Sequence, residues 1–328
     1  MKAIVYDKYG APDEVLELRE IDKPAVSDDE VLVRVRAASA NPYDWHMFRG
    51  LPYPMRMMTG LRKPKSRTVL GSDMAGQVEA VGKNVSQFRP GDEVYAEVGS
   101  GGFAEYVSVS EDSLALKPAN LSFEQSAAVP MAAETALQGV RDKGNAQSGQ
   151  KVLVNGASGG VGTFAVQIAK HFGAEVTGVC STRNVDLVRS IGADHVVDYT
   201  QEDFMQGDQR FDLILDAVGN HSISEYRRVM TPKGTYGAFG GGGGRWLGPA
   251  SQQLKAVATS PFVSQNLVPV NDKPNQSLGF LSELLEAGEV TPVIDRTYPL
   301  SEAPDAMCYL EEGHARGKIV ITVAEDDE

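Results

Sequence analysis

The segment Val152-Leu153-Val154-Asn155-Gly156-Ala157-Ser158-Gly159-Gly160-Val161-Gly162 constrains this 328-residue chain more than any other. Lys151 to Val154 is a compact apolar run suited to a buried strand. Val161, Phe164, Ala165, Ile168 and Phe172 follow at helical spacing. A glycine turn between such a strand and such a helix leaves the first amide groups of the helix free to face an anion. In this context the turn reads as a dinucleotide fingerprint of the form A-x-G-x-x-G, with Ala157 in place of the first glycine. Gly159 lets the backbone approach a pyrophosphate, and Gly162 lets the helix pack close to the strand.

Alternation continues downstream. Glu175 to Val179, His195 to Val197, Phe211 to Asp216 and Thr235 to Phe239 read as strands, and Val185 to Ile191 as a short helix. Strands and helices in turn imply an α/β, doubly wound parallel sheet of the Rossmann type. Residues 1–122 differ: short runs such as Val31 to Val35, Met74 to Val81, Glu93 to Ala96 and Phe103 to Val109 are broken by Gly, Pro and Asp. They read as an irregular β domain without a long helical period. Ser122 and Gln125 form a capping box before an alanine-rich helix.

Beyond the glycine run 240–244, Phe262-Val263 and Leu267-Val268 fit strand or helix equally. Phe280, Leu281, Leu284 and Leu285 mark an amphipathic helix, and Lys318 to Val323 a last strand. The expected domains are 1–122 with 270–328, and 123–269 for dinucleotide binding. The acidic tail Glu325 to Glu328 is expected to fray.

The end of the second strand bears on the cofactor. NAD sites place an acid about 20 residues beyond the glycines, on the ribose hydroxyls. Here the stretch reads Val179-Cys180-Ser181-Thr182-Arg183-Asn184, with no acid. Ser181 and Arg183 suit a 2′-phosphate through charge-assisted hydrogen bonds, which favours NADPH. The formal charge, 31 − 44 = −13, argues against a nucleic-acid partner. Two cysteines give no disulfide framework and no four-cysteine zinc lobe. With no signal-peptide pattern and no run of roughly 18 apolar residues, the expected location is the cytoplasm.

Several segments in order carry a family resemblance: Asn41-Pro42-Tyr43-Asp44-Trp45, Gly71-Ser72-Asp73-Met74-Ala75-Gly76, Gly91-Asp92-Glu93-Val94, Gly102-Phe103-Ala104-Glu105-Tyr106, the glycine turn, and Gly313-His314-Ala315-Arg316-Gly317-Lys318. Through them the chain resembles the medium-chain dehydrogenase/reductase superfamily. Within it the nearest likeness is to zinc-free quinone oxidoreductases, including the chloroplast envelope quinone oxidoreductase homologues and alkenal/one reductases. The resemblance implies a GroES-like catalytic domain beside the Rossmann domain, with an active site in the cleft between them. It implies that Asn41 and Thr135 lie near the nicotinamide and Ser158, Gly159, Gly160 and Val161 on the pyrophosphate. It puts Arg183 and Tyr199 by the adenosine phosphate, Phe239 and Gly240 along the nicotinamide, and Lys318 toward the cofactor; Ser181 and Asn184, on the same stretch as Arg183, are further candidates for cofactor binding. It also implies a homodimer, with the segment from Phe262 to Val270 pairing edge to edge with its mate.

Zinc alcohol dehydrogenases of the superfamily take a cysteine and a histidine from the first domain as ligands. The corresponding segments here hold neither thiolate nor imidazole at those positions, so no metal is expected. Without a Lewis acid, simple alcohols and aldehydes are hard to interconvert. A quinone, enone or enal is easier, because hydride addition leaves a delocalised enolate that a few donors stabilise. His46 and Tyr53 are the candidate catalytic donors, and water is an alternative proton source. Met55 to Lys65 reads as a mobile loop over the cleft. Two further readings stand beside this one: an NADPH-binding sensor or structural protein without turnover, and an enoyl-thioester reductase.

Overall fold

A computed structural model describes residues 1–65, 68–240, 246, 248, 250–270 and 273–323, with the Met58 side chain left aside. The glycines at 241–244 and the acidic tail therefore lie outside the described residues. The chain divides into two compact units: Met1–Glu134 with Pro274–Gly288 and Pro292–Glu328, and Thr135–Lys273 with Glu289–Thr291.

The first unit holds strands β1 (Lys2–Tyr6), β2 (Glu17–Glu20), β3 (Glu30–Ala40), β4 (Thr68–Val69), β5 (Asp73–Val81), β6 (Glu93–Glu97), β7 (Tyr106–Ser110) and β8 (Ala115–Leu116). The second contributes β9 (Lys151–Asn155), β10 (Glu175–Cys180), β11 (His195–Asp198), β12 (Phe211–Asp216), β13 (Met230–Ala238) and β14 (Asn266–Pro269). Strands β15 (Ile294–Pro299) and β16 (Lys318–Thr322) return to the first.

In the first unit the larger sheet runs β15-β16-β3-β5-β6-β8, with β7 also on β3; a smaller sheet runs β2-β1-β4. Alternation along β3 buries Val31, Val33 and Val35 against Met74, Val78 and Val94. Opposite, Ile4, Phe48, Phe103, Met307, Ile319 and Ile321 form a second core. Gly76 is needed where β5 meets β3, since a Cβ there would overlap the Arg34 carbonyl oxygen.

This unit contains more helix than its sequence suggests. Pro42–Arg49 is helical, opening on Pro42 and closing on Gly50 at φ +59. Two turns are too few for a hydrophobic period to show. Tyr53 starts a 3-10 turn, and Arg56–Thr59 is one helical turn. Within the stretch expected to be a mobile loop, Tyr9 Oη lies 2.6 Å from Thr59 Oγ1 and donates to the Gly60 carbonyl at 2.9 Å.

The boundary between units also falls later than 122/123. The helix Phe123–Ala127, with its capping box formed, belongs to the first unit, as do the residues up to Glu134. Met131 N donates to Asp73 Oδ1 (3.1 Å), and Ser277 N to Glu134 Oε1 (2.7 Å). Conversely, residues 270–273 stay with the second unit, where Val270 N donates to the Ala238 carbonyl (3.0 Å) and Gln138 Nε2 to that of Lys273 (3.1 Å). Hydrogen bonds reaching far along the chain tie these segments to their units, and local composition does not reveal them.

The second unit is a parallel six-stranded sheet in the order β11-β10-β9-β12-β13-β14. The chain builds outward from β9 to β11 and then returns to place β12 on the other side of β9. The strand order thus reverses between β9 and β12, the switch point where open α/β sheets bind ligands at the carboxyl ends of their strands. The ambiguous segment near 267 resolves as edge strand β14, preceded by a 3-10 turn at Ser260–Phe262.

Candidate functional site

The glycine turn sits at that switch point. Gly156 follows β9 with φ +88, a conformation that side chains disfavour. The positive φ falls one residue before Ala157, so alanine is tolerated where the usual fingerprint has glycine. Space for its methyl comes from Gly178 on β10, where an added Cβ would come within 3.0 Å of Ala157 Cβ. The helix Gly160–His171 starts from Gly159, and Thr163 N closes its first turn on the Gly159 carbonyl at 2.9 Å. The N–H groups of Gly160, Val161 and Gly162 precede that bond and have no acceptor within the helix. A Cβ on Gly162 would overlap the Gly156 carbonyl and approach Ala157 Cα to 2.9 Å. At Gly159 a Cβ would meet only the Gly156 oxygen, at 3.4 Å. Glycine there keeps the space before three amide donors clear of a side chain, and amides presented in this way suit an anion.

Next to the turn the structure joins three of the expected contacts. Asn184, 5% exposed, donates through Nδ2 to Ser158 Oγ (3.0 Å) and Ser181 Oγ (3.2 Å). Its Oδ1 is buried without a donor. Arg183 and Tyr199 are exposed. An acid that sequence reasoning missed, Asp198, ends β11. It accepts from Thr182 Oγ1 (2.6 Å), Thr200 N (3.0 Å), Thr200 Oγ1 (2.7 Å) and Gln201 Nε2 (2.8 Å). These bonds, that of Thr182 foremost, hold its carboxyl below the usual range. The same carboxylate pins the turn that carries Arg183. Further along the strand ends, Phe239 N and Gly240 N donate to the Asp216 carbonyl at 3.2 and 3.3 Å. Thr135 is buried on the helix Pro130–Leu137.

In the first unit, Asn41 and Lys318 belong to one buried network. Lys318 is 3% exposed; its Nζ donates to Asn41 Oδ1 and to the Ala40 carbonyl (3.4 Å), and lies 3.6 Å from Asp73 Oδ2. Asn41 Nδ2 donates to Asp73 Oδ2 (2.8 Å) and the Ser39 carbonyl (3.3 Å). Both amide hydrogens of Asn41 are therefore engaged internally. Asp44 accepts from Asn41 N and Ser72 Oγ, each at 2.9 Å. Burial pushes the Asp44 carboxyl up to about 7 and lifts Asp73 as well, while burial pulls the Lys318 ammonium down.

The two candidate donors stand outside these bonds. His46 lies on the helix Pro42–Arg49, edge-on to Trp45 with ring centroids 4.4 Å apart. Burial lowers its pKa, and its Nδ1 is buried without a partner. The Tyr53 ring stacks under the Arg56 guanidinium at 5.0 Å. Among the described residues no group of three or more His, Cys, Asp or Glu side chains is placed to hold a metal ion.

Comparison with known proteins agrees with this architecture. Residues 27–119 match the alcohol dehydrogenase GroES-like domain, and 191–321 a zinc-binding dehydrogenase domain. The NADPH-dependent alkenal/one oxidoreductase, chloroplastic, of Arabidopsis thaliana is 37% identical over 98% of this chain and 79% of its own. The chloroplast envelope quinone oxidoreductase homolog of the same plant is 32% identical over 98% of both. The quinone oxidoreductase from Coxiella burnetii superposes with a TM-score of 0.87 at 29% identity, covering 99% of each chain. The chain belongs to the medium-chain dehydrogenase/reductase superfamily, in its quinone and alkenal/one oxidoreductase branch. Its two units are accordingly a GroES-like domain and a Rossmann domain.

Proposed function

We propose that this protein transfers hydride from NADPH to a quinone or an α,β-unsaturated carbonyl compound without zinc. The observation that carries the reading is the cleared cradle at Gly159, backed by the amides of Gly160, Val161 and Gly162. The names of the alkenal/one and quinone oxidoreductase relatives support it. When bound, NADPH supplies the hydride. The chain's own part is to hold and orient. Ser158 to Val161 take the pyrophosphate; Ser181, Arg183, Asn184 and Tyr199 take the adenosine phosphate; Thr135, Phe239 and Gly240 shape the nicotinamide surface. Asn41 and Lys318 act through the buried network, because their donors are engaged with Asp73 and its neighbours.

His46 and Tyr53 serve as hydrogen-bond donors to the substrate oxygen. The lowered pKa keeps His46 neutral near pH 7, so water delivers the proton to the enolate carbon. Zinc-independence rests on the segments Asn41 to Asp44 and Gly71 to Asp73, which resemble those that carry the zinc ligands in other members of the superfamily and hold neither thiolate nor imidazole. The test follows NADPH absorbance against quinones, enones, enals and simple aldehydes, with NADH and with a chelator in parallel. Turnover of the conjugated acceptors, insensitive to chelator, supports the reading; binding without turnover of any acceptor overturns it in favour of a sensor. Arg183→Ala weakens NADPH about tenfold more than NADH, the worth of one charge-assisted contact.

The same reading includes a homodimer built on the edge of β14, where Phe262 is 87% exposed and Leu254 and Val257 are also open. A monomer by light scattering at micromolar concentration would exclude it. No helix of the described residues is long and apolar enough to cross a membrane. The proposed location is the cytoplasm; relatives named as chloroplastic and mitochondrial make cell fractionation the check.

A further inference from the structure

At the switch point of the second unit lies a buried carboxylate that faces no cation among the described salt bridges. Asp216, the last residue of β12, is fully buried. Its Oδ1 accepts from Asn155 Nδ2 (3.0 Å), Val218 N (3.1 Å) and Gly219 N (2.9 Å), and its Oδ2 from Tyr236 Oη (2.7 Å). Asn155 Nδ2 also reaches Asn220 Oδ1 and Tyr226 Oη, each at 2.9 Å. Every partner is a neutral donor, so Asp216 acts as an acceptor only. Burial first, and then the Asp216 charge, push both the Tyr226 and Tyr236 phenols up, so each keeps its proton.

The positions of these partners are what matter. Register places Asp216 beside Asn155 at the end of β9 and beside Ala238 at the end of β13. Asn155 is the residue before Gly156, where the phosphate turn begins. Its carbonyl accepts from Ala217 N at 3.1 Å, and a Cβ on Gly156 would come within 3.0 Å of Val218 Cγ2. On the other side the Asp216 carbonyl accepts from Phe239 N and Gly240 N, and Gly240 has no room for a Cβ against the Ala217 carbonyl. One residue therefore ties three segments: the entry to the phosphate turn, the turn 216–219, and the segment 239–240. All three emerge from the carboxyl ends of neighbouring parallel strands, where a dinucleotide lies in such a sheet.

We infer that Asp216 is a positioning residue for the dinucleotide, fixing the phosphate turn and the 239–240 segment in one register through Asn155, Tyr236 and the 216–219 turn. The inference rests on the cofactor reading above. A carboxylate suits this place because it accepts four bonds at once, which no neutral side chain of its size does.

The experiment uses the full chain with Asp216→Asn, Asp216→Ala and Tyr236→Phe. It reads the NADPH dissociation constant by fluorescence, KM for NADPH and for the quinone separately, kcat, and the thermal midpoint. Asp216→Ala weakens NADPH about tenfold or more, and Tyr236→Phe about threefold. Asp216→Asn, which keeps an acceptor for Val218 and Gly219, recovers most of the loss. KM for the quinone stays within about twofold throughout. A purely structural role would lower the thermal midpoint while leaving NADPH affinity as in the wild type, and that result overturns the inference. If Asp216→Ala does not fold, Tyr236→Phe and Asp216→Asn decide on the same terms. A wild-type chain that binds neither NADPH nor NADH overturns the cofactor reading itself, an outcome separate from equal affinity in wild type and variants.

Discussion

Each unit buries a carboxylate at the end of a strand, and the two solve the problem differently. Asp73 begins β5 beside the ammonium of Lys318; Asp216 ends β12 among hydroxyl, amide and backbone donors. In the first unit, charge answers charge. Asp44 adds a second carboxyl, and one ammonium does not hold two carboxylates ionised in a dry interior. In the second, the demand is for space and donors, from the glycines of the turn to the four bonds on Asp216. The first unit's network should therefore respond to pH and to loss of charge, and the second unit's to loss of shape.

The largest effect breaks the first arrangement. Lys318→Met leaves Asp73 buried without its cation and costs about 3–5 kcal/mol, measured by denaturant unfolding. Adding Asp73→Asn to that variant restores part of the loss; strict additivity would show that the two groups do not act as a pair. A smaller loss comes from Gly162→Ala, whose methyl overlaps backbone rather than a movable side chain. It costs about 1–3 kcal/mol and lowers NADPH affinity, read by unfolding and fluorescence titration. Unchanged affinity would remove the steric half of the comparison.

The pH response comes next. The Asp44 carboxyl rises from 3.8 to about 7 in the folded chain, so the folded state holds a proton that the unfolded state has released between those values. Its stabilising contribution is complete below pH 3.8, declines as pH rises, and is lost through about pH 7. Wild type should lose stability over this window relative to Asp44→Asn, with chemical denaturation at several pH values as the check; parallel curves would mean Asp44 titrates normally. Smallest of all, His46→Gln should change kcat by no more than about tenfold and remove no limb from the pH profile near 7, because the imidazole is already neutral there. A lost limb would make His46 the proton donor.

Much of the second unit was legible because its signals are local. A strand, a glycine turn and a helix lie within 151–171, and the structure forms them as β9 and the helix Gly160–His171. Ser158, Ser181 and Asn184 were named separately, and they meet because parallel β9 and β10 end side by side. Asp216 was not found, although an acid closing the apolar run Leu213 to Leu215 was a usable sign. Nothing local marks Tyr236 or Asn155 as its partners. In the first unit the sequence showed the Asn41 to Trp45 and Gly71 to Gly76 segments but not the helix Pro42–Arg49, which is capped by Gly50 and held by packing of Phe48.

By itself, the order of residues determined the alternating α/β unit and the glycine turn between its first strand and helix. These depend on neighbours a few residues apart, where backbone conformation and hydrophobic period act directly. Tertiary structure alone decided that Lys318 lies on Asn41 and Asp73 across more than two hundred residues, and that Asp216 joins three strand ends. Buried polar groups must find partners, and which partners they find depends on the strand order of the sheet rather than on spacing along the chain.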